Sequence, residues 1–448
     1  MLSLDHIDRI YFLGIGGIGM SALARYFAAK DYEVAGYDRN QSEICISLEN
    51  ASCSISYDDA LTTIPESFEQ SENTLVVYTP AIPKTNRLLK YFTDKGFALC
   101  KRAEILGAIT RNNQCLAIAG THGKTTISSM LAYVLSDNQV DCSAFLGGIA
   151  TDFDSNLRIG SDDMAVVEAD EFDRSFLQLS PNWALISSMD PDHLDIYGTA
   201  KHLEESFQLF SDKVEDGNLI AKEGLNVSSK YTYALGSDTA DFSAKNIRVE
   251  EGAYHFDIVY PKGICENVIT GLPGIHNVEN ALAAFAMAYF QGVSSSGIVA
   301  SIASFSGVKR RFECHIKTDH QVYIDDYAHH PKEIEVAIQS ARDLYPNKEL
   351  TIIFQPHLFT RTRDFMDDFA TALSAADKVM LLDVYPAREL PIEGVSAQVL
   401  LEKITCKEKG LYSKSEFPKV ITETEVLMTL GAGDIDVLIQ PIKKYLAS

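Results

Sequence analysis

Residues suited to phosphate chemistry cluster at Ile118 to Thr126, I-A-G-T-H-G-K-T-T. An apolar run, Cys115 to Ala119, leads in and reads as a short buried strand, and a helix-like pattern follows from Ile127 to Leu135. Strand, glycine-rich turn and helix form the context of a phosphate-binding loop. The common form would place a glycine at position 118, where this chain has Ile118, so the loop is the shortened Gly120-x-x-Gly123-Lys124-Thr125. Gly120 and Gly123 let backbone N–H groups turn towards an anion, and the helix N-terminus adds partial positive charge. Lys124 can reach the outer phosphates, and the Thr125 hydroxyl can ligand Mg²⁺. The bland alternative is a tight strand-to-helix turn with a chance lysine.

A second glycine cluster, Gly14-Ile15-Gly16-Gly17-Ile18-Gly19, follows a strand pattern at Arg9 to Leu13 and precedes a helix from about Met20 to Lys30. A further strand, Tyr32 to Tyr37, ends at Asp38. This is the fingerprint of a dinucleotide-binding βαβ unit, weak when it stands alone. It fits a nicotinamide cofactor and a nucleotide-sugar diphosphate equally well. An oxidoreductase is thus one rival reading, and a nucleotide-dependent switch without ligation is another.

Acidic residues are expected beside the phosphate loop. A strand at Met164 to Val167 would deliver Glu168-Ala-Asp-Glu-Phe-Asp173, and one at Ala184 to Ser188 would deliver Asp190-Pro-Asp-His193-Leu-Asp195. Ligands of such sheets sit outside the carboxyl ends of the strands. Glu168 and His193 could ligand a divalent ion, though Mg²⁺ prefers oxygen. Alternatively His193 pairs with Asp190 or Asp195. Asn277 and Asn280, three apart at a helix start, share a face and could position a ligand, or Asn277 could cap the helix. Arg310 and Arg311 could approach a transferring phosphate or form a solvated pair. Asp326 and His329 end a strand, and Arg361 offers a fork for a carboxylate.

The elements that must position these groups divide the chain. Its 448 residues exceed one ordinary domain. The expected fold is α/β in three domains: a Rossmann-like unit over 1–107, a central P-loop parallel-sheet domain over 108–311, and a second Rossmann-like unit over 312–448. A β-rich stretch is expected from Tyr231 to Ile269, and a helix from Gly274 to Tyr289. Strands are expected at Val322 to Ile324, Leu350 to Phe354, Lys378 to Asp383 and Val426 to Leu430. Pro331 suits the first residue of a helix.

Composition sets limits. Apolar residues make up 46% and charged residues 23%, as in a soluble globular protein. No apolar run reaches the ~20 residues that cross a bilayer, and the N-terminus lacks the basic start of a signal peptide. The eight cysteines are scattered without a C-x-x-C pair. These features suggest a cytoplasmic protein. The net charge of −23 disfavours nucleic acid or an anionic membrane as partner. Phosphate ligands would therefore need local positive charge against the overall field.

The ordered motifs resemble the Mur ligases of peptidoglycan synthesis nearly end to end. They are G-I-G-G-I-G-M-S from Gly14, R-A-E-I-L from Arg102, A-G-T-H-G-K-T-T from Ala119, E-A-D-E-F-D-R-S-F-L from Glu168, D-H-L-D-I-Y-G from Asp192 and G-I-H-N-V-E-N-A from Gly274. R-R-F-E from Arg310, D-D-Y-A-H-H-P from Asp325, F-Q-P-H-L-F-T-R-T-R from Phe354, L-D-V-Y-P-A-R-E from Leu382 and L-G-A-G-D-I from Leu430 complete the series. The P-H-x-x-T-R and D-V-Y-P-A stretches are similar to the alanine-adding branch.

The resemblance implies an ATP-dependent ligase joining L-alanine to the carboxylate of UDP-N-acetylmuramate through an acyl phosphate. ATP would lie between the second and third domains, on Gly120, Thr121, His122, Gly123, Lys124, Thr125, Thr126, Asn277, Asn280, Arg311 and Asp326. Gly14, Gly16, Gly17, Gly19, Met20, Ser21 and Asp38 would hold the UDP-sugar. Lys124, Glu168, His193 and Arg311 would act in catalysis, with Thr125, Glu168 and His193 on two Mg²⁺ ions. His330, His357 and Arg361 would sit near the amino acid. The implied protein is a monomer or homodimer, with no nucleic-acid or membrane partner. Two departures from the family pattern stand out. Leu358 occupies a position that is arginine in many relatives, and Phe207 and Gln208 stand where several relatives place a modified lysine, so no carbamylated lysine is expected.

Overall fold

The computed structural model describes residues 4, 6–111, 113–192, 194–250, 252–387, 389–421 and 424–447. His193, and the metal-ligand role expected of it, lies outside the described residues. The chain divides into two compact units. The first comprises Met1–Lys245, Asp257–Glu266 and Asn280–Ser306, and the second Asn246–Phe256, Asn267–Glu279 and Gly307–Ser448.

The first unit contains a five-stranded parallel sheet of Arg9–Leu13 (β1), Glu33–Tyr37 (β2), Ser54–Ser56 (β3), Thr74–Tyr78 (β4) and Ala98–Lys101 (β5), in the order β3-β2-β1-β4-β5. Successive side chains of a strand point to opposite faces. Ile10 and Phe12 accordingly join one buried cluster while Tyr11 and Leu13 join another. Both faces are covered, as a parallel sheet requires.

A ten-stranded sheet follows in sequence. Its strands are Gln114–Ala119 (β6), Ser143–Ala150 (β7), Ser155–Arg158 (β8), Met164–Ala169 (β9), Trp183–Ile186 (β10), Leu219–Lys222 (β11), Tyr231–Leu235 (β12), Phe242–Glu250 (β13), Ala253–Tyr260 (β14) and Gly263–Ile269 (β15). The order is β15-β14-β13-β12-β11-β10-β6-β9-β7-β8. β6 pairs in parallel with both β9 and β10, so the chain reverses its direction of winding there. β7 and β8 form an antiparallel hairpin that periodicity does not announce, because Gly147 and Gly148 interrupt its apolar pattern. β9 extends two residues past the expected Val167, which puts Glu168 inside the strand, opposite Ile118.

The second unit contains a six-stranded sheet of Glu313–Lys317 (β16), Val322–Asp326 (β17), Leu350–Phe354 (β18), Lys378–Leu381 (β19), Glu408–Leu411 (β20) and Val426–Leu430 (β21). Its order is β16-β17-β21-β18-β19-β20, and only β16 runs antiparallel to its neighbour. Pro331 opens the helix Pro331–Leu344, as its spacing suggests. Ile352 and Phe354 pack on one face of the sheet and Ile353 on the other.

Within the first unit, the helix Arg102–Thr110 lies against the segment Phe172–Gln178. A Cβ on Gly107 would stand 2.4 Å from the Gln178 carbonyl oxygen. Gly107→Ala should gain roughly 0.5–1 kcal/mol from helix propensity and lose ~1–3 kcal/mol to overpacking. The expected net result is a lower urea midpoint; an unchanged or higher midpoint would show that the contact relaxes freely.

Candidate active site

The loop after β6 begins the helix Lys124–Asp137, with Gly123 as its N-terminal flanking residue at φ 83°. Gly120 has φ 133°, and a Cβ there would lie 2.1 Å from the Ser187 hydroxyl oxygen. The dipeptide Ser187-Ser188, just past β10, braces the loop. Ser187 Oγ donates to the Ala119 carbonyl at 3.2 Å and the His122 carbonyl at 2.5 Å, and Ser188 Oγ accepts from the His122 amide at 2.8 Å. Thr121 Oγ1 lies 3.0 Å from Ser188 Oγ and accepts from the Asp190 amide at 3.1 Å. Asp190 also stands 3.4 Å from His122 Nε2.

Lys124 is the electrostatic centre. Its ammonium donates to the Gly120 carbonyl at 2.6 Å and lies 2.8 Å from Glu171 Oε2. The lysine side chain is 12% exposed and the glutamate 1%. Burial alone would lower the lysine pKa, but Glu171, Glu168 and Asp170 outweigh it and hold the pKa above its ordinary value. Glu168 Oε2 accepts from the Gly147 amide at 3.0 Å. Three carboxylates therefore share the field of one ammonium. That surplus negative charge, with the buried Thr125 at the first helical turn, is a hard-oxygen set of the type a divalent cation takes. Asn280 is buried with its amide oxygen 2.7 Å from where a Cβ on Gly123 would stand, so it abuts the loop.

The first glycine cluster also follows a central strand, β1. Gly14 has φ 87°, and the helix Ile18–Ala29 starts two residues before the expected Met20. Asp38 Oδ2 accepts from the Gly16 amide at 2.8 Å, tying the end of β2 to the loop. Gly17 directly precedes the helix, and Gly19 lies in its first turn. Met20 and Ser21 face the interior. The Ser21 hydroxyl donates to the Ile18 carbonyl and accepts from Asn156, whose amide also donates to Ile18.

In the second unit, strand β17 delivers Asp325 and Asp326, both buried. Arg310 Nε donates to Asp325 at 3.0 Å and its Nη2 to the Gly431 carbonyl at 2.7 Å, so this arginine secures the turn after β21. Arg311 lies over the Tyr327 ring at 5.3 Å. Asp326 accepts from the amides of Phe312 and Ala328, each at 2.7 Å. Its pKa rises to about 6 because burial outweighs the Arg311 cation and these hydrogen bonds. Asn277 lies inside the first turn of the helix Ile275–Phe290 and donates to the Pro273 carbonyl at 2.6 Å, so it is not the cap residue. His330 flanks the N-terminus of the helix Pro331–Leu344, where its Nδ1 accepts from the Lys332 amide at 3.3 Å. His357 stacks on Tyr385 at 5.7 Å and lies 6.1 Å from the His329 ring. Arg361 falls in the helix Phe359–Asp364, which Leu358 enters at φ 70°. That conformation costs a leucine of order 1–3 kcal/mol and marks a constrained corner.

Family models described as Mur ligase family, catalytic domain, as Mur ligase middle domain, and as Mur ligase, glutamate ligase domain match residues 9–114, 118–288 and 310–439. The chain belongs to the Mur ligase family. A relative from Christiangramia forsetii named UDP-N-acetylmuramate–L-alanine ligase is 52% identical, covering 100% of this chain and 99% of its own. One of the same name from Parabacteroides distasonis is 47% identical over 99% and 98%. The crystal structure of the UDP-N-acetylmuramate–alanine ligase MurC from Thermotoga maritima superposes with a TM-score of 0.85 at 26% identity, covering 98% of this chain and 99% of that one. The resemblance read from the motifs is thereby borne out, as is the three-domain α/β architecture with its parallel central sheet.

Several Mur ligase residues near the loops escape motif reading. Glu171 is one acidic letter among several until it is seen against Lys124. Ser187 and Ser188 look like ordinary strand-end serines. Asn156 sits in a short edge strand with no local signal.

His276 carries a pH consequence. It is half-buried beside Ser340, whose hydroxyl lies 3.4 Å from its Nδ1. Burial, then the Arg311 cation, lowers its pKa to about 4 from 6.5. The unfolded chain therefore binds this proton more readily, and stability is lost as pH falls from 6.5 towards 4. The full effect is at most about 3 kcal/mol. Asp326, raised to about 6, contributes the opposite slope between 3.8 and 6. Comparing variants isolates the histidine: His276→Gln should reduce the drop in urea midpoint between pH 7 and pH 5. An identical drop in both proteins would remove His276 from the balance.

Proposed function

We propose that this chain is an ATP-dependent, ADP-forming ligase that joins L-alanine to the carboxylate of UDP-N-acetylmuramate in peptidoglycan precursor synthesis. The observation that carries the reading is the Lys124 ammonium, held cationic between two phosphate-loop glycines and a carboxylate cluster at the carboxyl ends of β6 and β9. Full-length similarity to ligases of that name supports the substrates.

In this reading a substrate carboxylate oxygen attacks the γ-phosphorus and ADP departs, leaving an acyl phosphate. The alanine nitrogen then adds to the acyl carbon. That addition forms the C–N bond and the nitrogen gives up a proton to solvent; the tetrahedral intermediate then collapses, the acyl C–O bond breaks and phosphate leaves. Lys124 and Arg311 offset the negative charge that builds on the transferring phosphoryl group, a type of contribution worth ~10²–10³ in rate per group. Thr125 and Glu168, with His193, would hold two Mg²⁺ ions, which would supply further neutralisation of phosphate charge. Gly120 to Thr126 and Asn280 cradle the triphosphate, and Gly14 to Ser21 with Asp38 take the uridine diphosphate. The roles of Asn277, Arg311 and Asp326 towards nucleotide, and of His330, His357 and Arg361 towards the amino acid, rest on sequence resemblance. The proposed domains are 1–107, 108–311 and 312–448, in a cytoplasmic protein acting as monomer or homodimer on small molecules.

The test is phosphate release with ATP, Mg²⁺, UDP-N-acetylmuramate and single amino acids. Release should require both the UDP-sugar and L-alanine; release that ignores either sinks the reading. Lys124→Ala should lower kcat by at least ~10²-fold. It also leaves Glu171 buried without its ammonium partner, a situation that is strongly destabilising. Lys124→Ala/Glu171→Gln restores charge balance and should regain stability but not turnover. Turnover recovered in the double variant would take Lys124 out of the chemistry.

A further inference from the structure

The two glycine loops of the first unit are joined by a short line of side chains. Arg102 opens the helix Arg102–Thr110 at the end of β5. Its guanidinium lies across Gly19: a Cβ at that glycine would stand 2.9 Å from Nη1 and 3.0 Å from Cδ. Its other arm, Nη2, donates to Asp170 Oδ2 at 3.0 Å. Asp170 is followed by Glu171, the partner of Lys124. Gly19, Arg102, Asp170, Glu171 and Lys124 thus connect the first turn after one glycine loop with the ammonium of the other.

The acidic segment is held under tension. Asp173 and Arg174 both have left-handed backbone angles, φ 51° and 55°, which non-glycine residues keep only where surroundings enforce them. Lys101 Nζ donates to Asp173 Oδ2 at 2.7 Å, and this bond raises the lysine pKa. The Tyr197 hydroxyl donates to the Glu171 carbonyl at 2.6 Å. Ala103 and Leu106 of the helix line a small open cleft with Glu168, Asp170, Ser175, Phe176 and Leu179. Part-exposed ion pairs of this kind contribute little to overall stability. Their fork geometry instead sets direction, since a planar guanidinium addresses two groups at a fixed angle.

We propose that Arg102, backed by Lys101, is a positioning residue that couples occupation of the first glycine loop by a uridine diphosphate to the placement of Glu171 and Lys124 at the second. This rests on the ligase reading above. A diphosphate at Gly14 to Gly19 would lie beside the guanidinium and fix it; the same guanidinium then fixes Asp170, and through the next residue the counter-ion of Lys124.

Calorimetric titration of the full chain with UDP, and with a non-hydrolysable ATP analogue plus Mg²⁺, tests this. Saturating UDP should tighten the analogue about five-fold or more in the wild type, a usual size for coupled sites. Arg102→Ala should reduce that factor below about two-fold. Asp170→Asn, which keeps the arginine and nearly the same shape, should do likewise and serves if the alanine variant does not fold. A purely structural role would weaken each ligand separately and leave the factor intact, which would overturn the proposal, as would two ligands that bind the wild type independently. A wild-type chain that binds neither ligand would instead defeat the ligase reading, and this coupling with it.

Discussion

The ion pair of Lys124 with Glu171 is the interaction on which the rest of this site depends. An ammonium 12% exposed would tend to shed its proton. Glu171, with Glu168 and Asp170 near, outweighs that burial and keeps the lysine charged. A cation fixed in this way can meet a triphosphate in a chain whose net charge is −23. The acidic segment after β9 is thus no generic solvated loop. It keeps the lysine charged.

Sheet topology brings these groups together. β1 and β6 each have parallel neighbours on both sides, so the loops that leave them open into the crevice where the winding reverses. β9 and β10 flank β6 in register, which puts Glu168 opposite Ile118 and Ser187 directly behind Gly120. The absence of a Cβ at Gly120 is therefore a packing requirement as much as a conformational one. Asp38 does comparable service at the first loop by accepting from the Gly16 amide, and Asn156 joins the Ser21 hydroxyl on the Ile18 carbonyl.

In the second unit, burial separates residues that look alike in sequence. Both arginines lie over the Tyr327 ring, but Arg310 is also committed to Asp325 and the Gly431 carbonyl. The histidines diverge as well. His276 is half-buried with its pKa lowered beside Arg311, His330 accepts a helix-start amide, and His357 stacks on an aromatic ring. Asp326 uses both carboxylate oxygens on backbone amides, so its first task is to hold Phe312 and Ala328 in place.

The strands at Arg9–Leu13, Leu350–Phe354 and Val426–Leu430 were legible residue by residue, because buried parallel strands are short unbroken apolar runs bounded by turn residues. Both glycine loops were legible too as strand-to-helix turns, since clustered glycines between an apolar run and a helical pattern are a local signal. The hairpin β7–β8 and the polar edge strand β16 were not, because an edge strand owes its existence to a neighbour rather than to its own pattern. The site shows the same division. Lys124, Thr125 and Glu168 carry their chemistry in their own types and positions. That Glu171 rather than another acid faces Lys124, that Ser187 and Ser188 brace the loop, and that Arg102 spans Gly19 and Asp170 were decided only by folding, because each joins positions tens of residues apart through distance and direction in space.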